Sequence, residues 1–227
     1  MAMQELLVKE SLSLDNEQII KRHRFQKGIK RLIDVVVALV LSIFTLPILL
    51  IACIAIKIES KGSPIYKQPR CGFRGRSFTA YKLRTMYEHS SDGNYAAPKE
   101  GDKRVTKVGK LLRKTSVDEL PQLFNVLKGD MSVLGPRAVP FREIELRIES
   151  MMENDSAREE EYERMMEIRS LIRPGISGMA QANGRSCLTV EEATKYDVYY
   201  VLNYSLGLDI KVLFKTIGTV FFQKGVN

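Results

Sequence analysis

Val35–Ile56 reads VVVALVLSIFTLPILLIACIAI and carries no charged residue. At about 20 residues, such a run is long enough to cross a bilayer as a helix. A buried core helix is the competing reading, and the length and cationic flanks argue against it. Lys27, Lys30 and Arg31 stand before the run; Lys57, Lys61, Lys67 and Arg70 stand after it. Basic residues are retained on the cytoplasmic side, so matched flanks place both ends there, which a straight span cannot do. Pro47 removes one helical hydrogen bond and clashes with the carbonyl four residues back, that of Ile43. Hydroxyls on Ser42 and Thr45 could satisfy the freed carbonyls. A first arm of about 12 residues at about 1.5 Å each reaches about 18 Å, roughly one leaflet. The reading predicts a re-entrant membrane helix over 31–57, bent at Pro47. It follows a polar and basic leader over 1–30 and precedes a cytoplasmic domain over 58–227.

The 227 residues carry a formal net charge of +8, enough for one ordinary domain with an appendage. A basic balance implies an anionic partner, whether nucleic acid, anionic membrane lipids or a nucleotide. Three scattered cysteines (Cys53, Cys71, Cys187) make neither a disulfide frame nor a zinc site, so a reduced, cytosol-facing chain is expected. Two histidines, His23 and His89, lack ligand-spaced partners, which argues against a His-based metal centre or a Ser–His–Asp triad. No apolar core precedes a small-residue cleavage site near the start, so no signal peptide is expected.

Lys110–Ala138, KLLRKTSVDELPQLFNVLKGDMSVLGPRA, concentrates the chemistry. Asp118 and Glu119 are adjacent, and Ser116 with Glu119 spells the S-x-x-E capping box of a helix start. Lys110, Arg113, Lys114 and Lys128 surround them, and Arg137 follows Gly135-Pro136. A capped helix with a solvated basic flank accounts for this. So does a site for a polyphosphate with a divalent metal. Upstream, two short strands around Gly72 and Gly75 form a hairpin. Lys82 and Arg84 then share one face of an extended segment, where they could hold a diphosphate or be solvated. Glu88–Asp102 is a polar loop, and Lys107–Lys114 a short helix. Phe141–Leu171 reads as a solvated helical hairpin, with Ser156 and Glu159 repeating the cap. A glycine-punctuated loop carries Arg173, Gln181 and Arg185. Glu191–Tyr204 is a helix with Asp197 beside tyrosines, and Leu208–Gln223 is an amphipathic helix suited to a membrane interface or a core. The fold class expected is α+β, mainly helical. It is monotopic, with a small β-hairpin and amphipathic interface helices. A nucleic-acid binder would need a recognised motif or aromatics interleaved on a basic strand, and neither is read here.

Several longer motifs occur together: Lys82-Leu-Arg-Thr-Met86, Asp102-Lys-Arg-Val-Thr-Lys-Val-Gly109, Leu112-Arg-Lys-Thr-Ser-Val-Asp-Glu-Leu-Pro-Gln122, Asn125-Val-Leu-Lys-Gly-Asp-Met-Ser132, Gly135-Pro-Arg137, Arg173-Pro-Gly-Ile-Ser-Gly178 and Tyr196-Asp-Val-Tyr-Tyr200. In this order the chain resembles the bacterial sugar transferase family, the small monotopic phosphoglycosyl transferases acting on polyprenyl phosphate. The chain departs from the family's pattern at Ala138, where proline is frequent, at Met179 and Phe124, where tryptophan is frequent, and at Leu46 before Pro47, where serine is well known.

The resemblance implies a two-step transfer at the cytoplasmic face of the bacterial inner membrane. Asp118 would be the nucleophile toward a UDP-sugar, releasing UMP, and undecaprenyl phosphate would then take the phosphosugar. Glu119 would help hold Mg²⁺. Arg113, Arg137 and Asp197 would line the site. The residue pattern itself, rather than the resemblance, adds Lys82, Arg84, Gln181 and Arg185 as expected substrate contacts. The C-terminal helix could serve a homodimer as readily as a bilayer, and the sequence does not fix the oligomeric state. The sugar itself is not specified by these motifs.

Overall fold

The computed structural model describes residues 14–22, 24–88, 101–153, 155–184 and 187–221. His23, His89, Arg185 and most of the expected Glu88–Asp102 loop lie outside them. A short helix α1 (Asn16–Lys21) opens the described chain, with the Asp15 carboxylate accepting from the Glu17 amide. Helix α2 (Arg24–Glu59) follows and is the longest element, with Pro47 inside it. The expected boundary at residue 31 therefore falls within a helix that has already begun. The Thr45 hydroxyl donates to the Leu41 carbonyl at 2.7 Å. It thus bonds into the preceding turn rather than serving the Ile43 carbonyl that Pro47 leaves without its helical donor.

Burial along α2 is confined to its two ends. Asp34 and Ala38 are buried near the start, and Ala52 and Ile56 near the end. Between them Leu39, Leu41, Ile43, Phe44, Leu46, Ile48 and Ile51 are exposed. Ala38 packs with Leu123, Val126, Met131 and Ala138. Ala52 and Ile56 pack with Leu83 and Leu112. The helix is long and apolar enough to cross a membrane.

Strands β1 (Ile65–Cys71) and β2 (Ser77–Leu83) pair antiparallel, from Ile65 opposite Leu83 to Cys71 opposite Ser77, as the hairpin reading expects. Helix α3 (Lys107–Lys114) matches its expected bounds; Thr106 caps it by accepting from the Gly109 amide. The Glu59 carboxylate also accepts from the Lys107 amide at 2.7 Å and the Val108 amide at 2.9 Å. This hooks the end of α2 onto the start of α3.

Helix α4 (Gln122–Lys128) lies against the hairpin. Buried Asn125 accepts from the Tyr81 amide at 3.1 Å and donates to the Thr79 carbonyl at 2.7 Å. One side chain thereby satisfies two main-chain groups on the open edge of β2. Strand β3 (Ser132–Leu134) pairs in parallel with β4 (Gly175–Ser177), a pairing the loop reading did not anticipate. Helices α5 (Phe141–Met152) and α6 (Glu159–Arg169) form the crossover between them. This is the expected helical hairpin, but only its outer face is solvated. Met151, Tyr162, Met165, Met166 and Ile168 form the largest apolar cluster with Val198, Val201 and Leu202 of helix α8 (Val190–Leu202). Ser156 does not cap α6; Asp155 accepts from the Ala157 amide ahead of it. A full capping box stands instead at Thr189 and Glu192, at the start of α8. Helix α7 (Met179–Asn183) precedes α8, and α9 (Leu206–Phe221) follows it.

Candidate active site

The expected capping box at Ser116 is absent. Ser116 adopts a left-handed conformation, φ 56°, and its side chain caps nothing. The cause is a tight reversal: α3 ends at Thr115, and the chain turns at once into a single 3₁₀ turn, Val117–Glu119. That turn points Asp118 inward, where it is buried, and lays Glu119 against β2.

Glu119 Oε1 accepts from Lys82 Nζ at 2.6 Å and from Arg137 Nη2 at 3.2 Å. Three elements meet here: the 3₁₀ turn, β2 and the segment after β3. Burial alone would raise the Glu119 carboxyl, but Arg137 and Lys82 outweigh it and hold the group at about 2. At Asp118 the balance is reversed. Burial pushes its carboxyl above the ordinary range, Lys82, Arg113 and Arg137 oppose that, and the Glu119 charge adds to it. Arg113 projects from α3 and donates through Nε to Thr85 Oγ1 at 2.8 Å. Burial lowers its pKa, while Asp118 and Asp102 act to raise it.

The structure thus joins Asp118, Glu119, Lys82, Arg113 and Arg137. Arg84 is placed elsewhere. It lies just past β2 and donates through Nη2 to the Ser60 carbonyl and hydroxyl, both at 2.9 Å, closing the C-terminus of α2. Alternation therefore misleads at this point, because the strand ends at Leu83. Gln181 lies in α7 and donates back to the Ile176 carbonyl of β4 at 3.2 Å.

Asp197 lies beneath the site rather than in its lining, only 2% exposed. Its Oδ2 accepts from Arg169 Nη2 at 2.8 Å and Nε at 3.2 Å, and Arg169 Nη2 also donates to the Arg137 carbonyl at 2.8 Å. Burial raises the Asp197 carboxyl while Arg169 opposes the rise. On the other side, Arg70 Nη1 donates to the Ala138 carbonyl at 2.7 Å. Burial and the nearby Arg137 charge lower the Arg70 pKa to about 10. Arg70 and Arg169 thus clamp the two carbonyls around Arg137, which supplies rigidity where the chain has Ala138 in place of proline. Sequence reading missed both. Their only signal was an arginine at an inward position of a strand and of a helix.

The glycines here answer to close approach rather than to turn geometry. A Cβ on Gly135 would lie 2.6 Å from the Arg173 carbonyl oxygen, and one on Gly175 2.1 Å from the Gly135 nitrogen. The two glycine-proline segments interlock and fix where Arg137 emerges.

Among the described residues no three His, Cys, Asp or Glu side chains group as a metal cage. The donor set still suits a magnesium ion shared with a substrate, since such ions take one or two carboxylates and complete their shell with phosphate and water. Both of Glu119's contacts fall on Oε1.

A buried carboxylate beside a second one, with a lysine and two arginines around them, is a cluster whose cations suit phosphate oxygens. The chain belongs to the bacterial sugar transferase family, whose model matches residues 25–223. It is 41% identical over 200 residues to an uncharacterized sugar transferase EpsL of Bacillus subtilis, covering 88% of this chain and 90% of that one. It is 40% identical to a UDP-glucose:undecaprenyl-phosphate glucose-1-phosphate transferase of Caulobacter vibrioides, covering 83% of this chain and 68% of that one. A protein of the same name from Klebsiella pneumoniae is 37% identical over 86% of this chain, which spans only 40% of that relative's length.

Proposed function

We propose that the chain transfers a sugar 1-phosphate from a UDP-sugar to undecaprenyl phosphate, with Asp118 as the nucleophile. The observation that carries this is the unequal treatment of two neighbouring carboxylates. Glu119 is held as a permanent anion in ion pairs with Lys82 and Arg137, while Asp118 is buried beside the same cations and makes no ion pair of its own among the described residues. The names of relatives, among them UDP-glucose and UDP-N-acetylgalactosamine undecaprenyl-phosphate transferases, support this substrate pair.

In the first step an Asp118 oxygen bonds to the sugar-bearing phosphorus, and the bond from that phosphorus to the bridging oxygen breaks. UMP leaves with that electron pair. In the second, an oxygen of the lipid phosphate attacks the same phosphorus, and the Asp118 carboxylate is released unchanged. An anion attacking a diphosphate meets like-charge repulsion, so Arg113, Arg137 and Lys82 must neutralise the phosphate oxygens. The same cations favour the ionised form of Asp118 against its burial. Magnesium, held by Glu119 and the donor's phosphates, would add charge neutralisation and Lewis acidity.

The lipid substrate calls for a membrane-bound enzyme, and a re-entrant α2 with the domain on the cytoplasmic face of the inner membrane suits it. Ala38 and Ala52 both contact the domain, and at about 1.5 Å per residue they lie only about 21 Å apart along the helix. A bilayer crossing separates its ends by about 30 Å, with a domain at one end only. Mass spectrometry of protein incubated with donor alone tests the chemistry. A sugar-phosphate adduct on residue 118, absent from Asp118→Asn, is expected, and its absence from the wild type would refute the nucleophile. UMP release across a panel of UDP-sugars would identify the sugar.

A further inference from the structure

A second basic cavity lies apart from the carboxylate pair, where the start of α2 meets α1, β3 and the turn before β4. Lys27, Lys30, Arg31 and Arg173 line it, with Asp34 as its acid and Ile20, Phe73 and Leu171 among its apolar walls. None of Asp118, Glu119, Lys82, Arg113 or Arg137 takes part.

The charges in this cavity do not balance. Lys30 pairs with Asp34 at 3.4 Å and with Asp209 at 2.9 Å. Asp34 also accepts from Ser132 Oγ at 2.6 Å and from the Val133 amide at 3.1 Å. The other three cations hydrogen-bond only to main-chain carbonyls. Lys27 donates to those of Ile19 and Ile20, Arg31 to those of Val126 and Leu127, and Arg173 to that of Gly129. Arg173 also lies over the Phe73 ring, 5.9 Å from its centroid. None of the three lies within ion-pair distance of a carboxylate among the described residues. Burial lowers the pKa of Lys27, and burial with the Arg31 charge lowers that of Arg173 against the opposing Asp34 carboxylate. Three crowded, partly desolvated cations around one hollow make a place for an anion.

The cavity measures about 110 Å³, room enough for a phosphate group. Position narrows the class of anion: Lys27, Lys30 and Arg31 stand in the turns immediately before the charge-free run that begins at Val35. With α2 in a bilayer, these turns sit at headgroup depth. We propose that this cavity is a second phosphate site, separate from the catalytic carboxylates, that holds the phosphate of a membrane lipid and so sets the depth at which α2 enters. The source of the phosphate rests on the membrane reading of α2; the site does not.

The test uses the full chain in detergent and reads lipid retention by native mass spectrometry, independent of turnover. Wild type is expected to retain phosphatidylglycerol, to retain no diacylglycerol, and to lose the lipid to inorganic phosphate. Each cation removed near a membrane surface weakens binding roughly fivefold, so Lys27→Gln with Arg173→Gln should weaken retention about 25-fold. Lys67→Gln, an exposed cation outside the cavity, should change nothing, and Arg173→Lys should restore most of the binding. If the double variant fails to fold by thermal unfolding, Arg173→Gln alone, on the exposed rim, carries the comparison. Equal retention by wild type and the cavity variant, or equal loss in Lys67→Gln, would overturn the site. Binding of inorganic phosphate without phosphatidylglycerol would overturn the lipid assignment.

Discussion

Burial acts on Asp118 and Glu119 in the same direction, yet the two carboxylates meet different neighbours. Glu119 takes the direct contacts of Lys82 and Arg137, so its stabilising pairs hold above the ordinary glutamate range and are lost only as pH falls toward about 2. Asp118 feels those cations at longer range and stays above its ordinary range. A sign-specific prediction follows. Glu119→Gln removes a neighbouring anion and releases Lys82, so the Asp118 pKa falls and the acid limb of adduct formation moves to lower pH. Lys82→Met moves it to higher pH. The pH dependence of adduct formation with donor alone reads both, and shifts of the opposite sign would defeat the electrostatic account. At Asp197 the consequence is structural. Asp197→Ala leaves Arg169 buried without its anion, and chemical denaturation should show a loss of about 3–5 kcal/mol. The dyad was legible in the sequence because its residues are neighbours there. The Arg70 and Arg169 clamps were not, since a buried arginine and a solvated one look alike until the fold chooses.

Helix and strand boundaries were mostly legible, because hydrophobic period and turn chemistry act locally. The hairpin, α3 and the α5–α6 pair follow from them. What local rules misjudged were the caps at Ser116 and Ser156. An S-x-x-E spacing needs a helix that continues past it, and at Ser116 the chain instead makes one 3₁₀ turn. The left-handed Ser116 gives a prediction at this scale. Ser116→Gly should leave thermal stability unchanged or raised, whereas Ser116→Val should lower it, because a β-branched residue strongly resists φ 56°. Asn125 offers a second. Asn125→Ala leaves the Tyr81 amide and the Thr79 carbonyl of β2 without partners, and denaturant unfolding should report a loss of about 1–3 kcal/mol. An unchanged midpoint would mean that other groups satisfy that strand edge.

For the whole molecule the decisive relation is between α2 and the domain that holds both of its ends. Cysteines placed before Lys30 and after Lys57 should label from the same, cytoplasmic side in intact spheroplasts. Periplasmic labelling of the first alone would make α2 a span and would separate Ala38 from its partners in α4. Composition and pattern alone determined the long apolar helix, the hairpin, the mainly helical class and the dyad with its basic surroundings, because each depends on residues close together along the chain. Tertiary structure alone decided which cations reach the dyad, that Arg84 closes a helix, that Asp197 supports the site from below, and that a second cavity gathers Lys27, Arg31 and Arg173. Those outcomes join segments as far apart as residues 31 and 173, and no local propensity encodes a distance between groups that meet only when the core closes.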